Sequence, residues 1–418
     1  VRLTRVLHRQ AGLERAVVEG VRLDDDTDGE VLVISARPRK GAARRCGRCR
    51  ARAPWYDRGW GRRRWRHLDF GTLRVVIEAA VPRVDCAEHG PTVIAVPWAR
   101  HGARFTTAFE DTAAWLAART SASAVTGLLR IAWRSVVAIV GRVVDAAAAG
   151  ADRLAGLKRI GIDEVAYRKG QRYLTLVVDH DTGRLVWAAD GRDKATVAAF
   201  FDELGAQRAA ALTHVSADAA AWIGDVVAER APQAVRCLDP YHLVAWVTDA
   251  LDEVRRAVWN TARGGKGGRT EASKTLKDAR WALWKNPPNL TDKQKATLAT
   301  IQATNRPLYR AYLLKEQFRE IIAVKGADGR LLLQAWLRWA SRSKLAPFVK
   351  LAKTIRRHLP AIHNMLDSGL SNARIEANNV HLRVLTRQAY GYHSAKALIT
   401  MANLRRGGLC PPLPGRLS

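Results

Sequence analysis

Across residues 16–100 apolar and polar positions alternate in short runs, as at Glu30–Ser35 and Thr72–Val81, and this period of two predicts a β-ribbon region. From 106 to 150 the apolar spacing lengthens to three and four. Thr107 to Arg119 predicts one helix, and 121–130 and 132–146 predict two more separated by a brief break. At 158 the pattern returns to strands: KRIGIDEVAY, RYLTLVVDHDTG and RLVWAADG follow one another, with an Asp-Thr-Gly turn between the last two. Helix ATVAAFFDELG, strand LTHVSAD, helix AAAWIGDVVAER and strand AVRCL come next. From 242 to 360 strand character all but disappears. Helical periods marked by Leu276, Ala279, Trp281, Leu283, Leu332, Trp336 and Trp339 predict an all-α region, interrupted by TARGGKGGRT at 261–270 and NPPNLT at 286–291.

Three strands followed by alternating helices and strands is the order of a ribonuclease-H-like α/β domain. The expected fold is therefore multidomain α+β. A β-rich region with a zinc finger covers 1–105, and a helix-turn-helix-like helical region covers 106–157. The first part of the α/β core covers 158–250, a basic all-helical insertion 251–365, the final core helices 366–406 and a tail 407–418.

Charge narrows the partners. Lys and Arg outnumber Asp and Glu by 69 to 39, a formal net charge of +30 with a pI near 10.8, which calls for a polyanion and makes nucleic acid the first candidate. The excess is uneven: 255–358 carries 24 Lys or Arg against 6 Asp or Glu, whereas 160–253 is close to balanced. An anionic membrane is the rival partner, but no run approaches the ~18–20 apolar residues of a spanning helix. The apolar stretch at 136–150 is broken by Arg142 and Asp145. No signal-peptide core opens the chain, so a soluble, cytoplasmic protein is expected, with no membrane partner. Five cysteines, three of them within 41 positions, suit a metal site in a reducing compartment better than a disulfide framework.

Cys46-Gly-Arg-Cys49 and Cys86-Ala-Glu-His89 are two close pairs, the pattern of a closed tetrahedral structural zinc site. Buried or loose thiols are the plainer alternative. Between the pairs lies Arg58-Gly-Trp-Gly-Arg-Arg-Arg-Trp-Arg66, where Arg58, Arg62, Arg63, Arg64 and Arg66 can bind phosphates while Trp60 and Trp65 stack or pack. The short helices at 121–130 and 132–146 have helix-turn-helix dimensions, with Trp133, Arg134 and Ser135 at the start of the second offered to a major groove; ordinary core packing would give the same spacing. GGKGGRT has the wrong spacing for a phosphate-binding P-loop and no strand before it, and reads as a flexible basic loop that orders on DNA.

Three acids draw notice. Asp163 lies mid-strand among Ile160, Ile162 and Val165, where a carboxylate is costly unless paired, at an edge or bound to metal. Asp218 follows the apolar strand Leu212–Val215, where α/β ligand sites open, and Glu376 lies in a helix predicted to begin near Ser371. Alone, each is more simply a turn or cap residue. Two-metal phosphoryl transfer, however, needs carboxylates from separate elements, and Mg²⁺ prefers such hard oxygen ligands. Asp239, in Asp239-Pro-Tyr-His242 directly after AVRCL, competes with Asp218 for the second place. Glu164 points to the opposite strand face, toward a structural ion pair, and Asp179, Asp181 and Asp193 read as turn or cap residues.

The segment from IGIDEVAYRKG to FFDELG, with VSADAAAWI, LDPYHLVAWV, LKDARWALWKNPPNLTDKQKATL and SNARIEANNVHLRVLTRQAYGYHSAKALI, resembles DDE transposases of the ISL-three insertion-sequence type. The resemblance runs in order from the finger near 46 to about Arg406. It implies a ribonuclease-H-like catalytic core with a helical insertion between the second and third acids. Asp163, Asp218 and Glu376 would then hold two Mg²⁺ (or Mn²⁺) ions, with Asp239 and His242 in support, and the finger would hold one structural Zn²⁺. The family finger more often presents cysteines at its second knuckle, where this chain has His89. The implied activity is cleavage at an element's terminal inverted repeats, with water as the first nucleophile, followed by attack of the freed 3′-OH on target DNA. The implied partners are double-stranded DNA and further copies of the chain, assembled on a bacterial nucleoid. A DNA-binding regulator without cleavage and a nuclease that cuts without joining are the rival readings.

Overall fold

The computed structural model describes residues 8, 12, 13, 15–26, 29–263, 276, 279–370, 373–389, 392 and 394–415. The chain divides into two compact units, residues 1–153 with 385–418, and residues 154–384. The GGKGGRT reading falls at 264–270, outside the described residues.

In the first unit the alternating segments form β1 (Ala16–Asp26), β2 (Gly29–Pro38), β3 (Trp55–Asp57), β4 (Arg62–Phe70), β5 (Leu73–Ala80), β6 (Arg83–Cys86) and β7 (Gly90–Val93). One sheet has the order β1-β2-β5-β4 and a smaller one the order β3-β6-β7. Ile34, Trp65 and Ile77 from the inward face of the first sheet close on Trp98, whose ring meets Trp65 edge-on at 5.6 Å. Three helices follow: α1 (Thr107–Ala117), α2 (Ala122–Leu129) and α3 (Trp133–Ala149). Thr106 and Ser121 cap α1 and α2 by accepting from the amides of Phe109 and Ala124, each at 3.2 Å. Arg130, in the left-handed region at φ 51°, ends α2, and the axes of α2 and α3 differ by 102°. Glu110 of α1 is fully buried and held by Arg100 and by Arg142 of α3. A late helix, α15 (Ala395–Arg406), completes this unit. Leu404 and Leu409 enter the core of Phe109, Ile139 and Val143, and residues from 385 onward pack with this unit.

The second unit is built on a five-stranded sheet of order β10-β9-β8-β11-β12. β8 (Arg159–Arg168), β9 (Arg172–Asp179) and β10 (Leu185–Asp190) are antiparallel neighbours, while β11 (His214–Ala217) runs parallel to both β8 and β12 (Val235–Leu238). Helices α4 (Lys194–Leu204) and α6 (Ala221–Arg230), with the short α5 (Ala206–Ala209) between them, supply Phe200, Phe201, Ile223 and Val226 to a core shared with Ile160 and Ile162. Since strand side chains alternate, Gly161 and Asp163 face the other way.

The remainder is helical: α7 (Pro240–Ala262), α8 (Arg280–Trp284), α9 (Asp292–Thr304), α10 (Arg306–Val324), α11 (Gly326–Arg342), α12 (Ala346–Arg357), α13 (Leu359–Ser368) and α14 (Ala373–Gln388). Leu251, Phe318, Trp336 and Phe348 form its centre. The Lys315 ammonium is fully buried and donates to the carbonyl of Leu283 at 2.9 Å, one of the carbonyls left open where α8 ends. Trp281 and Leu332, expected among the apolar periods, are 58% and 37% exposed. Leu276, Ala279, Leu283 and Trp336 are buried as expected, and Ala282 and Leu333 fill the core beside them in place of Trp281 and Leu332. Among the described residues no single helix is long and apolar enough to cross a membrane.

Candidate active site

α14 lies against the polar-bearing face of β8. Gly161 permits this: a Cβ there would stand 1.9 Å from Cδ1 of Ile375, so any larger residue would push the helix off the strand. The Arg374 guanidinium donates to the carbonyls of His180 and Asp181, and Asn378 Nδ2 donates to the Gly183 carbonyl at 3.2 Å. Asn379 Nδ2 donates to Asp163 Oδ2 at 2.5 Å, while Asp163 Oδ1 accepts from the Glu164 amide at 2.7 Å. Glu376, three residues before Asn379, lies on the same helix face.

Strand register brings the other acids into line. Ser216 of β11 stands opposite Gly161 of β8 and Cys237 of β12. The Asp239 amide donates to the Ala217 carbonyl at 2.9 Å, continuing the ladder. Two positions on from Gly161, Ser216 and Cys237 stand Asp163, Asp218 and Asp239, a row at one level across strands ~4.8 Å apart. Asp163 lies within β8, and Asp218 and Asp239 just past the ends of β11 and β12.

Their electrostatics are those of crowded carboxylates. Burial raises the pKa of Asp163 above the ordinary carboxylate value, and the charge of Asp239 adds to this. Burial likewise raises Glu376, with Asp239 and Asp163 adding repulsion. His242 offsets some of it. Its Nδ1 lies 3.0 Å from Asp239 Oδ2, and this bond, with the charges of Asp239, Asp163 and Asp218, raises the imidazole above its usual value against the pull of burial. Asp163, Asp239, His242 and Glu376 thus act on one another directly. Asp218 Oδ1 accepts instead from the Ala220 amide at 2.9 Å, and its charge is felt at His242, Arg236 and Glu164. Glu164 pairs with Arg192 at 3.0 Å on the opposite face, as expected, yet burial followed by the charge of Asp218 pushes its pKa up to about 7.

In the first unit Cys46, Cys49, Cys86 and His89 converge, with their ligand atoms all within 4.8 Å of one another. The Cys49 and Cys86 sulfurs are 3.6 Å apart, and His89 Nδ1 lies 3.8 and 3.7 Å from the sulfurs of Cys46 and Cys86. A zinc tetrahedron with ~2.3 Å bonds to sulfur has edges near ~3.8 Å, so the donor set and its size fit a structural zinc. A hydrogen bond to His89 is the largest effect holding the Cys86 thiol below its usual pKa, in the direction metal binding needs.

A transposase family model matches residues 160–402, spanning β8 to α15 and enclosing every acid named above. The chain belongs to the ISL3 transposase family. Such an enzyme is a DDE transposase, cleaving DNA and transferring its strands. Two further models match, the zinc finger of the IS204, IS1001, IS1096 and IS1165 transposases over 42–89 and the helix-turn-helix domain of transposase family ISL3 over 94–144. Among curated proteins, the transposase for insertion sequence element IS1557 of Mycobacterium tuberculosis (strain H37Rv) is 53% identical over 422 residues, covering 96% of this chain and 95% of that protein. The transposase for IS1001 of Bordetella parapertussis is 26% identical over 378 residues, covering 90% and 91%.

The transposase therefore binds DNA, and its helix-turn-helix domain, matched over 94–144, takes in α1, α2 and most of α3. Trp133 and Arg134 are exposed at the start of α3. The basic segment before it is less free than its sequence suggests. Arg62 and Arg64 both pair with Glu78, Arg66 with Asp69, and Arg63 donates to the Ala103 carbonyl at 2.8 Å. Trp65 is core, whereas Trp60 is 92% exposed beside the exposed Arg58. Sequence reasoning missed Asn379 and Arg374. The three-residue spacing from Glu376 to Asn379 was the one signal that could have drawn attention to the former.

Proposed function

We propose that the second unit is a ribonuclease-H-like core that cleaves DNA at terminal inverted repeats and joins the freed ends to target DNA by two-metal-ion chemistry. The observation that carries this reading is the row of Asp163, Asp218 and Asp239 across adjacent strands beneath the helix that bears Glu376. The strand order, with Asp163 on the central strand, is that of ribonuclease H. Asp163, Asp218 and Glu376 would hold the ions, with Asp239 and His242 in support. Their hard oxygens suit Mg²⁺ or Mn²⁺, and a bound cation would offset both the burial that chiefly raises Asp163 and Glu376 and the neighbouring carboxylate charges that add to it. When bound, two such ions activate the attacking oxygen and stabilise the leaving one. The Asp239–His242 pair places a proton-bearing group beside the carboxylates and limits their mutual repulsion. A second arrangement, with Asp239 as the ligand in place of Asp218, is favoured by the charge Asp239 exerts at both Asp163 and Glu376.

The zinc ribbon would hold one Zn²⁺ through Cys46, Cys49, Cys86 and His89. Arg58 and Arg134, with Arg62, Arg63, Arg64 and Arg66 released from their internal partners, would contact the element ends. Assembly of several copies on nucleoid DNA in the bacterial cytoplasm completes the reading. Cleavage of end-bearing DNA by Asp163→Asn, Asp218→Asn, Glu376→Gln and Asp239→Asn variants tests it. The first three should abolish cutting while retaining DNA binding, and Asp239→Asn should be milder. A dead Asp239→Asn beside an active Asp218→Asn would exchange the roles of those two acids.

A further inference from the structure

Asn379 stands apart from the other polar groups around the acidic site. Its side chain is buried, with 7% of the residue exposed, and it lies one helical turn after Glu376. Its amide nitrogen donates to Asp163 Oδ2 at 2.5 Å. A carboxylate oxygen can only accept, so this bond fixes which end of the amide is nitrogen and which is oxygen. The amide oxygen, Oδ1, belongs to the same planar group and so lies beside the Asp163 carboxylate, yet it is buried without a hydrogen-bond partner. Buried polar atoms are normally satisfied, and an exception calls for a ligand or a role. The adjacent Asn378 behaves differently: its Nδ2 bonds the carbonyls of Gly183 at 3.2 Å and Arg374 at 2.8 Å, which fastens α14 to the loop after β9.

We infer that Asn379 is a positioning residue of the metal centre: its amide N–H orients Asp163, and its Oδ1 supplies a neutral oxygen to a divalent ion held by Asp163 and Glu376. This rests on the proposed metal-binding role of those two acids. An amide oxygen is a hard donor of the kind Mg²⁺ and Mn²⁺ accept, and it adds no negative charge to a site already crowded with carboxylates. The amide also spans two tasks that two residues would otherwise share, since the group that orients one ligand itself provides another.

Mn²⁺ binding to the full-length, zinc-loaded protein without DNA, read from the paramagnetic resonance signal of free Mn²⁺, tests the inference without reference to activity. Asn379→Ala should weaken Mn²⁺ binding by about 10- to 100-fold, the usual effect of removing a group that orients a metal ligand. Asn379→Leu, close to Asn in size but with neither the N–H nor the oxygen, should lose Mn²⁺ binding as far as Asn379→Ala does. Asn378→Ala should bind as the wild type does. Wild-type affinity in Asn379→Ala, with binding lost in Asp163→Asn, would overturn the inference and leave the reading of Asp163 intact. Wild-type affinity in Asn379→Leu beside a loss in Asn379→Ala would also overturn it, reducing Asn379 to packing. Undiminished Mn²⁺ binding in Asp163→Asn would remove the metal-site reading itself.

Discussion

Acid should weaken the catalytic unit through His180. This imidazole is 6% exposed, and its Nε2 lies 2.7 Å from Ser216 Oγ beneath the row of acids. Burial first, then the charge of Arg159, holds its pKa at about 4, against ~6.5 for a free histidine. Between those values the unfolded chain takes up a proton that the folded chain refuses. Stability is therefore fully present above pH ~6.5 and falls as the pH drops toward 4. At ~1.4 kcal/mol per pK unit, the loss from pH 7 to pH 5 comes to about 2 kcal/mol for this one group. Two units with separate cores need not unfold together, so the assay must report on this one alone. Hydrogen exchange in β8 and β9 across a urea series, at pH 7 and pH 5, does so. His180→Asn keeps a polar partner for Ser216 but cannot titrate, and should show about 2 kcal/mol less pH dependence than the wild type. An identical pH dependence in both proteins would refute the assignment.

Glu110→Ala should destabilise the first unit by about 1–3 kcal/mol in thermal unfolding, because it leaves the Arg142 guanidinium without its carboxylate partner while Arg100 keeps Asp111 at 2.6 Å; an unchanged melting temperature would contradict this. Cys86→Ser should lose the roughly one zinc per chain found by elemental analysis of the wild type, and end binding should fall with it, whereas zinc retained at full affinity in His89→Ala would remove only that ligand. Arg134→Ala should lower affinity for end-bearing DNA and reduce the salt dependence by about one counterion without altering the melting temperature, and an unchanged salt slope would place α3 outside the groove.

Much of this was readable in the amino acids because it depends on local periodicity. Ile160 and Ile162 alternate with Gly161 and Asp163, which sets β8 and the face that carries the acid. The two close pairs likewise announce the cluster of Cys46, Cys49, Cys86 and His89 through their spacing. What the sequence hid depends on partners far along the chain. Gly161 is small because Ile375 packs on it, a contact across more than two hundred residues. Arg62 and Arg64 look like free phosphate binders until β5 brings Glu78 beside them. Leu404 and Leu409 join the α1–α3 core although the intervening sequence belongs to the other unit. Leu283 and Trp336 mark the core face of their helices, whereas Trp281 and Leu332 flank it, since an apolar side chain at the margin of a helical stripe is placed in or out of the core only by packing. Asn379 looked like a polar helix residue until its contact with Asp163, made across 216 positions, gave it a place.

The central claim, metal-dependent cutting by carboxylates gathered from neighbouring strands and one helix, is tested most directly by a single cleavage assay. The full-length transposase is incubated with DNA bearing the cognate element ends, with Mg²⁺ or with chelator, beside the Asp163→Asn variant. The account predicts 3′-OH ends at the element boundary with the wild type and Mg²⁺ alone, and bound but intact DNA with chelator or with Asp163→Asn. Cutting that persists in chelator or in Asp163→Asn would contradict it.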